Sequence, residues 1–276
     1  NEGGTITTTL SATDVDNSGD NSLSLDGNGD YIDMGQVNSM SINDEITVTS
    51  RIFNRGQSGH IVNQGGGWSQ QGYSLFWYGN VIRIELQNGS QKMIHDTPAP
   101  ASNEWQHISF TWGTNSNTIK TYFNGVLANA GGNFNGPIGD PSENLNIGRK
   151  EQNGYYFNGL IDDITIWNRA LSQSEIQEVM NSGLCDNKSG LLAHYDFNQG
   201  SGTTLTDQSG NGYHGTFHGD TQWNMPASNF IFSIINQPTN RSSDISLGAV
   251  SYASNTFTAV ATYTHDGSEL TSDSFT

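Results

Sequence analysis

The stretch LNIGRKEQNGYYFNGLIDDITIWNRALS, residues Leu145–Ser172, decides how this chain is read. Its segment 160–167, LIDDITIW, is short and rich in β-branched and aromatic residues, which predicts a strand. The apolar alternation breaks at Asp162-Asp163, so one carboxylate is expected to face inward, with Asp163 the favoured one. A buried carboxylate needs a partner. That partner is either a hard cation or a hydrogen-bond donor such as a backbone amide or Arg149. Next, Ser172-Gln173-Ser174-Glu175 has the spacing of a capping box, and Ile176, Val179 and Met180 follow at helical spacing. Gly183 is the expected stop. Ahead of the strand, 150–158 reads as a loop carrying Gln152, Asn153, Tyr155 and Tyr156. In an extended loop the two tyrosines point oppositely, so at most one is exposed.

Outward from this stretch the pattern stays β. Residues 46–53 (ITVTSRIF), 73–78 (YSLFWY), 81–86 (VIRIEL), 105–112 (WQHISFTW) and 118–123 (TIKTYF) are further strand-like runs. Asn80, Asn88-Gly89 and Asn124-Gly125 punctuate them as turns. Many short strands at this spacing predict an all-β sandwich or jelly roll. Trp77, Trp105, Trp112 and Trp167 sit in strands and read as core.

The chain has 276 residues, 27 of them Asp or Glu against 10 Lys or Arg, for a formal charge of −17. Such a field repels nucleic acid and anionic membrane and attracts hard cations. No run approaches the roughly 18 apolar residues of a membrane helix. The single cysteine, Cys185, cannot form an internal disulfide. A secreted chain without disulfides points to a bacterial exporter and a fold stabilised by metal. Both ends stop in mid-motif, which predicts a piece of a longer protein.

Four stretches resemble the bacterial laminin-G-like, concanavalin A-like family. They are SLSLDGNGDYIDMG at 22–35, the Trp105-x-His107 strand through Tyr122-Phe123-Asn124-Gly125, the 145–172 stretch, and LLAHYDFNQGSGTTLTDQSGNGYHGTFHGDTQW at 191–223. In many family members the last of these resembles the opening strands, so the resemblance implies a circularly permuted jelly roll. Residues 1–17 and 228–276 instead resemble the two halves of a cadherin-like or bacterial Ig-like repeat that lacks its final strand. The implied architecture is a laminin-G-like domain at 18–227 inserted into that smaller Greek-key β-sandwich. Large bacterial adhesins have this kind of split extender region, with a ligand-binding module pinned to a stalk repeat by two crossings.

Calcium is the expected cofactor. Asp14 and Asp16 form a D-x-D after a strand, similar to the cadherin junction motif, and carboxylates two apart can converge on one ion. Acidic turns of ordinary Asx type have the same composition. Asp26 and Asp30 bracket the D-G-N-G-D turn, where Gly27 and Gly29 allow a tight backbone. An EF-hand is excluded because Val37 stands where its closing Glu belongs. The resemblance implies a structural calcium near this hairpin and the I-D-D strand. Asp207 opens another oxygen-rich turn, for which a plain Asx-turn is the competing reading. His214 and His218 lie about 13 Å apart on a strand, too far to share zinc.

Binding modules of this type carry ligand sites in loops at one end of the sandwich or on the concave sheet. Asn63-Gln64-Gly65-Gly66-Gly67-Trp68 presents a tryptophan after three glycines, and Gln152, Asn153, Tyr155 and Tyr156 offer amides and rings. Residues 133–144 form a third loop. Hydrolases on this fold use an E-x-D-x-E strand, and none occurs. Asp44-Glu45 and Asp162-Asp163 are adjacent acids that point to opposite faces of a strand, so neither makes a retaining pair. A G-x-S-x-G elbow and His-Glu-x-x-His are also missing from the sequence. The chain therefore reads as no enzyme but an extracellular, calcium-dependent binding module of a bacterial surface adhesin. Its expected partner is a glycan or peptide on a host or neighbouring cell, alongside the flanking adhesin repeats. A non-binding stalk spacer, or an accessory module of a polysaccharide-degrading enzyme, is the alternative.

Overall fold

The computed structural model describes residues 21–37, 40, 42–65, 71–139, 141–150 and 154–224 in full. It also describes, as backbone alone, 10–14, 230–234, 245–247, 251–253, 256–258, 261–265 and 268–271. The chain divides into two compact units, 16–229 and 1–15 with 230–276. In the smaller unit, β1 (Leu10–Asp14) pairs antiparallel with a strand at Phe230–Ile234, joining opposite ends of the chain.

The larger unit runs β2 (Ser22–Asp26), β3 (Tyr31–Asp33), β4 (Glu45–Asn54), β5 (Gly59–Gln64), β6 (Gln71–Tyr78), β7 (Val81–Asn88) and β8 (Lys92–Pro98). It continues through β9 (Trp105–Gly113), β10 (Ile119–Phe123), β11 (Val126–Gly131), β12 (Leu145–Ile147), β13 (Asn158–Trp167) and α1 (Gln173–Ser182). It ends with β14 (Leu191–Tyr195), β15 (Thr204–Leu205), β16 (Gly215–His218) and β17 (Gln222–Asn224). Two antiparallel sheets form a sandwich. The first has the order β11-β10-β9-β4-β13-β2-β17, with β14 also on β13, and the second has the order β15-β16-β3-β12-β5-β6-β7-β8. The strands after the helix are thus laid beside β13, β2 and β3.

The core follows from period-two alternation. Ile46, Val48, Ile52, Ile108, Phe110 and Trp112 point inward from the first sheet, against Val62, Leu75, Trp77, Ile82, Ile84 and Leu86 from the second. Each such side chain contributes roughly 1.5–3 kcal/mol on burial. Asn124 and Gly125 both have positive φ, 48° and 73°, in the two-residue turn joining β10 to β11. That is the pairing a primed hairpin turn requires.

The helix forms as the capping box predicts. Ser172 accepts from the Glu175 amide, the Glu175 carboxylate accepts from the Ser172 amide, and Gly183 caps the far end. Its Ile176 and Val179 pack with Tyr122, Trp167, Leu171 and Cys185 in a second apolar cluster. Trp167 follows the core residue Ile166, so this cluster lies on the outer face of the first sheet. Trp167 is therefore buried, but beneath the helix and outside the inter-sheet core.

The break at Asp162-Asp163 is a β-bulge. The β13–β4 register shifts between Asp162 and Thr165, and Asp163 has φ +47°. The extra residue lets Ile161 and Ile164 both reach the core. Neither aspartate faces the core, which corrects the expectation for Asp163. Asp162 is the buried one, on the outer face beside Arg51.

Candidate functional site

The outer face of the first sheet carries a depression of about 700 Å³. Its floor is one row of residues across three strands. Arg51 on β4 lies opposite His107 on β9 and opposite Asp162 on β13. The Arg51 guanidinium stands 3.7 Å from the Asp162 carboxylate, which is 1 % exposed. It also lies 4.9 Å from the centre of the Trp105 ring. Trp105 opens β9 and is 36 % exposed, with Phe53 edge-on behind it at 6.1 Å. Reading Trp105 as core is therefore corrected. It shares the parity of His107 and Ser109, and Ile108, Phe110 and Trp112 take the inward positions.

Three further elements complete the walls. Asn124, in the β10–β11 turn, accepts from the His107 amide at 2.9 Å and donates to the Gln106 side chain at 2.8 Å. The last turn of α1, Met180 to Gly183, forms one rim, and Asp163, His194, Asp196 and Asn198 form the other. The packing of α1 on Trp167 thus positions the rim.

Both histidines are neutral at pH 7. Burial, then the nearby Arg51 charge, pushes His107 down to about 4. Burial also lowers His194, against the pull of Asp196 and Asp207. Both ring nitrogens of His107, and Nε2 of His194, are buried without a hydrogen-bond partner. A buried polar group left unmet costs about 1–3 kcal/mol, so this polar floor is kept at the expense of stability. An exposed indole over such a floor, with carboxylates and amides around it, can stack a sugar ring and receive its hydroxyls.

Of the described residues singled out from sequence as site residues, Asp163 lines this depression. Asp16, Trp68, Gln152 and Asn153 lie outside the described residues, as does the side chain of Asp14. Asn63 and Gln64 were expected in a loop, but both pair in β5 with β6 and β12 and are buried. Tyr155, at φ +47° rather than extended, is 49 % exposed and Tyr156 half-buried, and Tyr155 packs edge-on against Phe76 on the other sheet. Arg51, His107, Asn124, His194 and Asp196 were missed.

Of the acids expected to hold calcium, Asp26, Asp30 and Asp207 accept hydrogen bonds from backbone amides. The D-G-N-G-D turn is no hairpin but a crossing from β2 in the first sheet to β3 in the second. Asp30 accepts the Asp26 amide at 2.9 Å and, at 2.6 Å, the Asp220 amide, which lies between β16 and β17. One carboxylate therefore ties two sheet crossings together. Burial raises its pKa and the two amide bonds hold it down. Asp26 accepts the Asn28 amide at 2.6 Å. Asp207 forms an Asx-turn that accepts the His194, Ser209 and Tyr213 amides. Among the described residues, no group of three or more His, Cys, Asp or Glu could hold a metal.

Residues 26–177 match a laminin-G family profile described as Concanavalin A-like lectin/glucanases superfamily. A solved structure of a candidate carbohydrate binding protein from Bacteroides ovatus superposes with a TM-score of 0.58 at 18% identity, covering 74% of this chain and 59% of that one. Adhesion G-protein coupled receptor D1 from Homo sapiens is 31% identical over 116 residues, 41% of this chain and 13% of the receptor. The chain thus spans only part of both. The profile covers more than half of the sequence, and the two-sheet sandwich agrees with it: the chain belongs to the concanavalin A-like lectin/glucanase superfamily.

Proposed function

We propose that this chain is a glycan-binding module whose site is the depression over Arg51, Trp105 and His107. The observation that carries the reading is Trp105, a large indole left exposed at the edge of a buried polar floor. The reading is one of binding without catalysis. Of the acids at the depression, Asp162 is held beside Arg51, and Asp163 is the bulge residue next to it. The carbohydrate-binding description of the Bacteroides ovatus relative supports the glycan as ligand. A glycan array probed with the chain and with Trp105→Ala tests it. The expected result is one or more bound glycans, with affinity falling more than about tenfold in the variant, the scale of a lost central aromatic contact. Unchanged binding by Trp105→Ala would remove the depression from the reading.

The wider setting we infer is an extracellular, surface-attached bacterial adhesin, with the larger unit inserted in a stalk repeat. The pairing of β1 with the strand at Phe230–Ile234, and the likeness to a stretch of an adhesion receptor, support this. No helix among the described residues is long and apolar enough to cross a membrane. Calcium, on this reading, stabilises the folded chain. Calorimetric melts in calcium and in chelator then show a transition lowered by chelator, because an ion that binds only the folded state stabilises by mass action. A melt that chelator leaves unmoved would remove calcium from the reading.

A further inference from the structure

We infer that the depression selects neutral glycans and rejects acidic ones, an inference that rests on its being the binding site. The charged side chains lining it are Arg51, Asp163 and Asp196, with Asp162 directly behind. The single guanidinium is already engaged by Asp162 at 3.7 Å and lies over the Trp105 ring. His107 and His194 add no positive charge at pH 7, since burial holds both below their ordinary range. The rim adds negative potential. Met180 to Gly183 are the carbonyl end of α1, whose last turn contains no basic residue.

A uronate or sialate carboxylate entering this space meets three carboxylates, a helix C-terminus and one committed cation. Its desolvation finds no compensating partner, and the chain's overall charge of −17 opposes its approach. A neutral sugar brings hydroxyls, which donate to Asp163 and Asp196 and stack their ring on Trp105 without a charge to solvate. The acidic lining thus works against one ligand class while serving another.

The test is an array of neutral oligosaccharides printed beside their uronate- and sialate-bearing counterparts, probed with the full chain at pH 7 and low salt. The expected result is binding to neutral members at least about tenfold tighter than to acidic ones, with the gap narrowing as salt rises. The double variant Asp163→Asn/Asp196→Asn, checked for folding by its thermal melt, narrows the gap at low salt. An acidic member that binds as tightly as its neutral partner, and loses binding in Trp105→Ala, would overturn the inference and leave the site standing. If no glycan depends on Trp105, the site itself falls, and the inference with it.

Discussion

Acidification from pH 7 to pH 4 removes about 3 kcal/mol of stability from the larger unit through His107 alone. Its ring is buried with neither nitrogen partnered, and its folded pKa lies near 4 against 6.5 for the free side chain. Between those values the unfolded chain binds the proton and the folded chain does not, so stability falls as pH falls. The loss begins near pH 6.5 and levels off near pH 4, and about 1.4 kcal/mol per pH unit gives the total. His60 and His194, also lowered by burial, work in the same direction. Asp30, raised by burial, works against them only in the carboxylate range. Denaturant midpoints across this range measure the effect, and His107→Gln flattens the slope. A slope unchanged by that variant would show that His107 does not titrate as its burial requires.

Trp167→Ala is expected to cost about 3–5 kcal/mol, the range for emptying a large aromatic site. The ring is fully buried beneath Ile176 and Val179, and its Nε1 donates to Thr165 Oγ1 at 2.7 Å. Arg169 adds a cation over the ring at 5.2 Å and an ion pair to Glu175 at 2.7 Å, binding the helix start to the same point. Losing the ring loosens α1, which supplies the Met180–Gly183 rim. The variant should therefore lose glycan affinity as well as stability, although Trp167 does not line the depression. A denaturation shift below about 1 kcal/mol would mean that α1 packs independently of this ring.

The fold was legible where local chemistry and periodicity agree. LIDDITIW followed by a capping box becomes β13 and α1 with boundaries within two residues of the expectation. The break at Asp162-Asp163 was visible, but a bulge and an inward carboxylate leave the same trace in one sequence. Asn63 and Gln64 beside three glycines read as loop, yet their backbones complete ladders with β6 and β12, and these pairings are non-local. The site was half legible. Trp105 and Arg51 both fall on the polar parity of strands whose alternate residues are core, which marks them as outward-facing. What sequence cannot supply is the order β9-β4-β13, which puts His107, Arg51 and Asp162 in one row. Nor does it supply the fold-back of α1 and of the chain after β14 that walls the row in.

The most direct test of this account is a nitrogen-resolved NMR titration of the full chain with the oligosaccharide that binds best on the array. The account predicts shifts of the Trp105 indole and the His107 and His194 rings, with the Trp77 and Trp112 indoles of the core unmoved. Shifts confined to the opposite sheet, around Phe76 and Tyr155, would contradict it.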